Sequence, residues 1–539
     1  MNVKLQEKEK MCWTEFFIAL ALCLAIFLLG YINLDNNCNW GDDFAAYMTD
    51  GIAIAEGRYE EQTKLNVILR SGRLVGEETQ HVHVFGYPLL HALVYSFAGL
   101  DTVGFSNLYL YKLPSLIALS LMAGVYFLFL RKRLGRTLSV FMVLALCADM
   151  TLHYEIRNLC SDILFLALSM CSFYVMELYL EKPFGKGRLA LGVFLGALLW
   201  YTYSVRLNGI VSAVCVLLAQ LIWIVKGKKG LRFTELIPLG TFLLLFALFN
   251  LIIFPQPTYT SSAGDINLES FLNGCEYYLG MLHIWARHFA EIALGLPVKL
   301  CATALYSLFS SPHICAFISR AENFMYAQVF DFLAVIFLLF SLVGIFAVGV
   351  KREAHLVFFL LVSFIGTAAL SLGQELRYLY VLLPFILMYA AEGMKWVAAH
   401  TWKKGCKNSV FSAKLKNVLL ALLCVFSIIP IGKAGLANLK NNNQEDLTAY
   451  SAGAIEVYNY IDNELDKDDT IAFFKPRALY LNTGRVSLLP QKDGFEIEDA
   501  DYYLYYVPSE ELLISEEQNA LYEPCFENYE FILYRKLDI

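Results

Sequence analysis

The sequence predicts an α-helical polytopic membrane protein of about eleven spans, with a small exterior α/β domain at its C-terminus. Three observations predict it. The 539 residues are 58% hydrophobic and only 17% charged, against about 25% charged for a soluble domain. Long apolar runs alternate with short basic clusters. Residues 436–539 then change character, with strand-like and helix-like segments in place of apolar runs.

The first run, residues 12–33, follows MNVKLQEKEK. It is too long for the core of a signal peptide and has no small-residue cleavage site, so it reads as an uncleaved span. Further spans are expected near 105–130, 137–153, 159–180, 188–205, 208–225, 233–254, 326–350, 355–372, 377–397 and 415–433. Every second loop is basic: Arg131 to Arg136, Lys182 to Arg188, Lys226 to Arg232, Lys351 with Arg352, and Lys403 to Lys416. These loops are expected in the cytoplasm together with the N-terminus. Residues 86–99, GYPLLHALVYSFAG, are apolar but too short to cross easily. They read as a helix in the outer interface, because a crossing there would turn RKRLGR outward.

This leaves a transmembrane region over 1–435 with long exterior segments at 34–104 and 255–325, and the exterior domain at 436–539. In the tail, SAGAIEVYNYIDNEL has helical spacing. TIAFF, RVSLL, DYYLYYV and YEFILYR read as strands, and KPRALYLNTG as a turn with a short helix. NNNQED at 441–446 is a polar linker. Among 13 cysteines there is no C-x-x-C. Cys23, Cys147, Cys171, Cys215 and Cys424 lie in apolar runs and read as small core residues. Cys38, Cys275, Cys301, Cys315 and Cys525 fall in or near exterior segments, where disulfides are open and their pairing is not set by sequence. The net charge of −7 and the lack of a basic face or reader motif exclude nucleic acid as a partner class.

Candidate site residues cluster at exterior ends. Asp42 and Asp43 follow the first span, ahead of Phe44, Tyr47, Met48 and Ile52 on one helix face, which predicts an interfacial helix. One aspartate is explained as a helix cap; the second is left over. Asp162 opens an otherwise apolar span, where an acid is costly unless it faces protein or water; it caps the helix or pairs with Glu155 or Arg157 nearby. Tyr203, Arg206 and Asn208 mark another exterior turn. In GQELRYLYVLLPF, Glu375, Arg377 and Tyr378 lead into a span, and Arg377 needs an anion there: Glu375, a lipid headgroup or a phosphate. His81 and His83 share one face if extended, and with a carboxylate such as Asp43 they form a minority metal set for a divalent cation, Mg or Mn.

The order of these pieces resembles the GT-C-type glycosyltransferases that use polyprenyl-phosphate sugars, among them the protein O-mannosyltransferases, the lipid A aminoarabinose transferases and bacterial surface-glycan transferases. The matching segments are GDDFAAYMTDGIAIAEGRY (41–59), GYPLLHALVYSFAG (86–99), YKLPSLIALSLMAGVYFLFLRKRLG (111–135), SDILF (161–165), RYLYVLLPF (377–385) and, in the tail, FFKPRALYLNTGR (473–485). Here the exterior acidic pair is Asp-Asp where many members carry Asp-Glu. The resemblance implies a multi-pass cell-membrane glycosyltransferase that moves a hexose or pentose from a polyprenyl-phosphate donor to a glycan, lipid or protein hydroxyl. It implies Asp42 as the catalytic acid with Asp43 as its neighbour, and Asp162 as the second acidic site. The chemistry of the transfer then assigns Arg206 and Arg377 to the donor phosphate, with Tyr47, Glu375 and Tyr378 accessory. Two other classes compete. A flippase for lipid-linked sugars predicts ionisable residues within spans and repeat symmetry, whereas these charges sit at span ends and no repeat is visible. A non-catalytic scaffold predicts tolerance to loss of both Asp42 and Asp43.

Overall fold

The computed structural model describes residues 13–41, 43–71, 84–100, 107–226, 233–254, 268–308, 318–321, 324–369, 376–401, 448–488, 500–509 and 521–537. The helices in chain order are α1 Trp13–Tyr31, α2 Asp43–Glu56, α3 Tyr59–Ser71, α4 Gly86–Ala98, α5 Leu108–Leu134, α6 Arg136–Cys147, α7 Met150–Arg157, α8 Asp162–Glu181, α9 Lys186–Val205, α10 Gly209–Lys226 and α11 Ile237–Leu245, which runs on in wider turns to Ile253. They continue with α12 Leu268–Leu308, α13 Phe330–Gly344, α14 Ala354–Ala369 and α15 Leu383–Thr401, which a tighter turn, Leu376–Leu382, precedes. The tail adds α16 Ala452–Glu464 and α17 Pro476–Thr483, with β1 Ile471–Ala472, β2 Ser487–Leu488, β3 Tyr502–Tyr506, β4 Tyr522–Glu527 and β5 Phe531–Lys536.

Among the described residues six helices are long and apolar enough to cross a membrane, and the α6–α7 pair, bent by 43°, is either a broken seventh span or a re-entrant loop. Three shorter apolar helices cover Gly209–Val225, Ile237–Ile253 and Ala354–Ala369. Together they match ten of the eleven expected spans; the last, 415–433, lies outside the described residues. The protein is a polytopic membrane protein. Leu244, Ile252, Phe332, Leu339 and Phe346 stand exposed on these helices, as lipid-facing side chains do. Inside the bundle, helices approach through small residues. A β-carbon at Gly344 of α13 would run into the Tyr389 carbonyl of α15, and one at Gly393 into that of Phe340, so only glycine allows this contact.

The expected interfacial segment is helix α4, whose Leu93 and Phe97 are exposed while Tyr87, Pro88 and His91 are buried. Helix α2 departs from expectation. It was read as an interfacial helix with one apolar face, yet Phe44 through Gly51 are all buried. α2 lies between α4 on one side and α17 of the tail on the other, so both faces are covered. Small residues at Ala45, Ala46 and Gly51 make this possible, because they let neighbouring helices approach closely. The long segment at 255–325 also gains structure: α12 is a single helix of 41 residues, packed on α13 and α14 through Trp285 and Phe289 against Phe337.

The tail folds as the predicted α/β unit, a five-stranded sheet in the order β2-β1-β3-β5-β4. β1 pairs in parallel with β2 and β3, and β5 pairs antiparallel with β3 and β4. Ser451 caps α16 by accepting from the Ala454 N–H at 3.2 Å. Arg485 satisfies the other end, donating to the carbonyls of Leu465 and Ile461. Cys38, Cys275 and Cys525 are free thiols, so no disulfide joins them.

Candidate active site

The site forms where several helices end on one face of the bundle. α8 begins there with Ser161 and Asp162, α9 ends there at Arg206, the turn before α15 supplies Arg377 and Tyr378, and α2 begins with Asp43. Asp162 is 4% exposed and sits in the first turn of α8, where the helix dipole favours a negative charge. Its Oδ1 accepts from Arg206 Nη1 at 2.5 Å. The same Nη1 lies 3.4 Å from Ser161 Oγ, which meets the Tyr47 hydroxyl at 3.1 Å. Arg377 donates to Asp43 Oδ2 at 3.3 Å and to Cys160 Sγ at 3.4 Å. The two guanidinium groups share one ring: Arg206 lies 5.2 Å and Arg377 5.4 Å from the centroid of Tyr378. Asp162 Oδ2 is buried with no hydrogen-bond partner among the described residues, an acceptor left over at the centre of the group.

Tyr47 reaches this group from α2. Burial, and next the Asp43 carboxylate, push its phenol well above the ordinary tyrosine range. It therefore stays protonated and serves as a hydrogen-bonding group, not a base.

The structure thus brings together Asp43, Tyr47, Asp162, Arg206, Arg377 and Tyr378. Asp42, Glu375, His81 and His83 lie outside the described residues. Two expected pairings are corrected. Asp162 pairs with Arg206 instead of Arg157 or Glu155. Arg157 turns to Asp35, while Glu155 accepts from the Tyr380 hydroxyl at 3.4 Å. Arg157 and Glu155 lie on α7, a separate helix after a bend, and sequence proximity to Asp162 hid that break.

Residues the sequence did not single out hold the group in place. Lys112 is fully buried and donates to Asp35 Oδ1 at 2.7 Å and to the Asn37 carbonyl at 2.5 Å. Asn39 donates its backbone N–H to Asn158 Oδ1 at 3.1 Å. Tyr201 donates to the Gly86 carbonyl at 3.0 Å, and a β-carbon at Gly86 would collide with the Ser204 backbone, so α4 starts in direct contact with the end of α9. The available signal was a lysine in an apolar run, YKLPSL, which needs a buried acid.

Among the described residues no group of three or more His, Cys, Asp and Glu is placed to hold a metal ion. Asp43 and Asp162 each face a guanidinium, and His81 and His83, the other residues expected around a cation, lie outside the described residues.

This architecture is the GT-C fold. The chain is similar to ArnT from Cupriavidus metallidurans in its apo state, with 12% identity, a TM-score of 0.54, and 97% of this chain and 98% of that chain covered. It is similar to the oligosaccharyltransferase of Archaeoglobus fulgidus tethered to an acceptor peptide with the NVT sequon, at 10% identity and a TM-score of 0.50, covering 92% of this chain and 70% of that one. ArnT bound to undecaprenyl phosphate superposes at 11% identity and a TM-score of 0.49, covering 98% and 99%; the fold likeness rests on the other two. No protein-family model matches the chain, and no curated protein matches it by sequence.

Proposed function

We propose that the chain is a membrane glycosyltransferase that moves a sugar from a polyprenyl-phosphate donor to an acceptor hydroxyl on the exterior face, with inversion. The observation that carries this reading is the pair of guanidinium groups on Tyr378, each beside a carboxylate, at the helix ends of a GT-C fold. A guanidinium has five donors, so one that serves a carboxylate can still fork onto a phosphate.

The acceptor oxygen attacks the anomeric carbon as the bond to the phosphate oxygen breaks. The electron pair leaves with the polyprenyl phosphate, and Arg206 and Arg377 stabilise the growing charge. The hydroxyl proton passes to a carboxylate, which we assign to Asp42, the neighbour of Asp43. One base serves a single displacement, and no covalent sugar–enzyme intermediate is needed. Asp162 and Asp43 set the two arginines. A cavity of about 180 Å³, lined by Thr49, Arg58, Gln62 and Tyr480 between α2, α3 and α17, supports acceptor binding beside α2.

Asp42→Asn in the purified full chain is expected to lower kcat by about 10²–10⁴-fold with the fold retained. Arg377→Ala is expected to weaken binding of undecaprenyl phosphate by about ten- to a hundredfold. Near wild-type transfer by the first variant removes the base assignment, and unchanged affinity in the second removes the phosphate role. Mass spectrometry of surface glycans and lipids from cells with and without the protein identifies sugar and acceptor together; identical profiles would count against transfer.

A further inference from the structure

The C-terminal domain holds the chain on both sides of the acidic pair. Before the pair, Thr448 donates its hydroxyl to the Asn37 side chain, and the Ala449 N–H donates to the Cys38 carbonyl at 3.0 Å. Trp40 then enters the domain. Its ring centroid lies 5.9 Å from Phe473, 5.3 Å from Phe474, 5.4 Å from Tyr506 and 5.8 Å from Phe531. These rings follow β1, end β3 and begin β5, so the indole extends the core of the tail sheet. After the pair, Phe44 meets the ring of Tyr450 at 5.9 Å, and both are buried.

Trp40 stands two residues before Asp42 and three before Asp43. The arginines of the site are held by other elements, the end of α9 and the turn before α15. We propose that Trp40 is a positioning residue: the C-terminal domain uses it to fix where Asp43, at the start of α2, stands relative to Arg206 and Arg377. The domain is then a working part of the acid-bearing loop and not a cover over it. A shift of about an ångström in such a group costs roughly a hundredfold in rate, so Trp40 can govern turnover without touching substrate. The kinetic arm of this proposal rests on the glycosyltransferase reading; the exchange arm does not.

The test compares full-length Trp40→Ala, Trp40→Phe and the unaltered protein in detergent. Hydrogen exchange followed by mass spectrometry should show faster exchange across residues 41–48 in Trp40→Ala, unchanged protection in α8 and α9, and near-complete rescue in Trp40→Phe. Affinity for undecaprenyl phosphate should stay within about twofold, while kcat for the transfer identified above falls by about ten- to a hundredfold in Trp40→Ala and recovers in Trp40→Phe. Unchanged exchange at 41–48 in Trp40→Ala overturns the proposal. Faster exchange throughout α8 and α9 also overturns it, because Trp40 would then be a general stability residue. If the unaltered protein transfers no sugar, the glycosyltransferase reading falls while the exchange result still decides the role of Trp40.

Discussion

At Asp35 one carboxylate takes two cations, Lys112 Nζ at 2.7 Å and the guanidinium of Arg157. Burial alone would raise this carboxyl, but Lys112 and Arg157 together outweigh it and hold it below the ordinary carboxylate range. A group whose folded pKa is depressed adds stability above its unfolded value, near 3.8 here, and loses it as pH falls through the folded value. Asp35→Asn should therefore destabilise the protein at pH 7 by about 3 kcal/mol, because fully buried Lys112 loses its counter-charge. The gap to the unaltered protein should shrink below pH 3.8 and close beneath the folded value. Thermal unfolding from pH 3 to 7 measures it, and a gap independent of pH would exclude the ion pairs as its source. Asp35 also shows what sequence reading misses at this scale. Asp162, Arg206 and Arg377 are legible because charge at the end of an apolar run is conspicuous. Asp35 sits among polar loop residues and Lys112 inside a span, so their meeting across 77 positions leaves no local pattern.

Helix ends opposite the site are tied by ion pairs of their own. Arg188 of α9 donates to both oxygens of Glu235, at 3.0 and 2.9 Å, with each side chain 3% exposed. The guanidinium also lies 4.8 Å from the ring centroid of Trp223. This contact fixes α9 against the segment leading into α11. Glu235→Ala should cost about 3–5 kcal/mol, since a buried guanidinium is left without its anion. The double change Arg188→Met with Glu235→Leu should recover most of that loss. Unfolding of both variants in detergent gives the comparison; equal destabilisation by the two would mean packing at these positions matters more than charge. Elements were largely legible. Apolar length located six helices long enough to cross, the bent α6–α7 pair and three shorter apolar helices; helical spacing located α16, and turn residues located α17. Strand β4 was missed because Tyr522–Glu527 carries Pro524 and a register shift beside it. Proline is tolerated there because β4 is an edge strand, a fact that only the assembled sheet supplies.

Across the whole molecule, chain direction and charge agree. The chain runs from Glu15 in α1, paired with Arg131 at the far end of α5, to Asp35 just after α1, paired with Lys112 near the start of α5. Among the described helices, α8 starts at the site end with Asp162, α9 runs from Arg188 at the far end to Arg206 at the site end, and the turn before α15 carries Arg377 at the site end. The site end carries Lys112, Arg157, Arg206 and Arg377, which pair with Asp35, Asp162 and Asp43. The far end carries the described basic residues Arg131 to Arg136 and Lys351 with Arg352, and Arg131, Arg133 and Arg188 there pair with Glu15, Glu177, Glu353 and Glu235. Those pairs do not cancel the orientation signal, because insertion responds to lysine and arginine and acids contribute little. On this charge count we propose that the far end faces the cytoplasm and that the site and the C-terminal domain face outside. An exposed cysteine at Lys467→Cys in the tail should react with a membrane-impermeant maleimide on intact cells, above the background of the unaltered chain. An exposed cysteine at Arg352→Cys should react only after lysis. The reverse pattern would place the arginine pair on the cytoplasmic face, and the donor would then have to present its phosphate sugar from that leaflet.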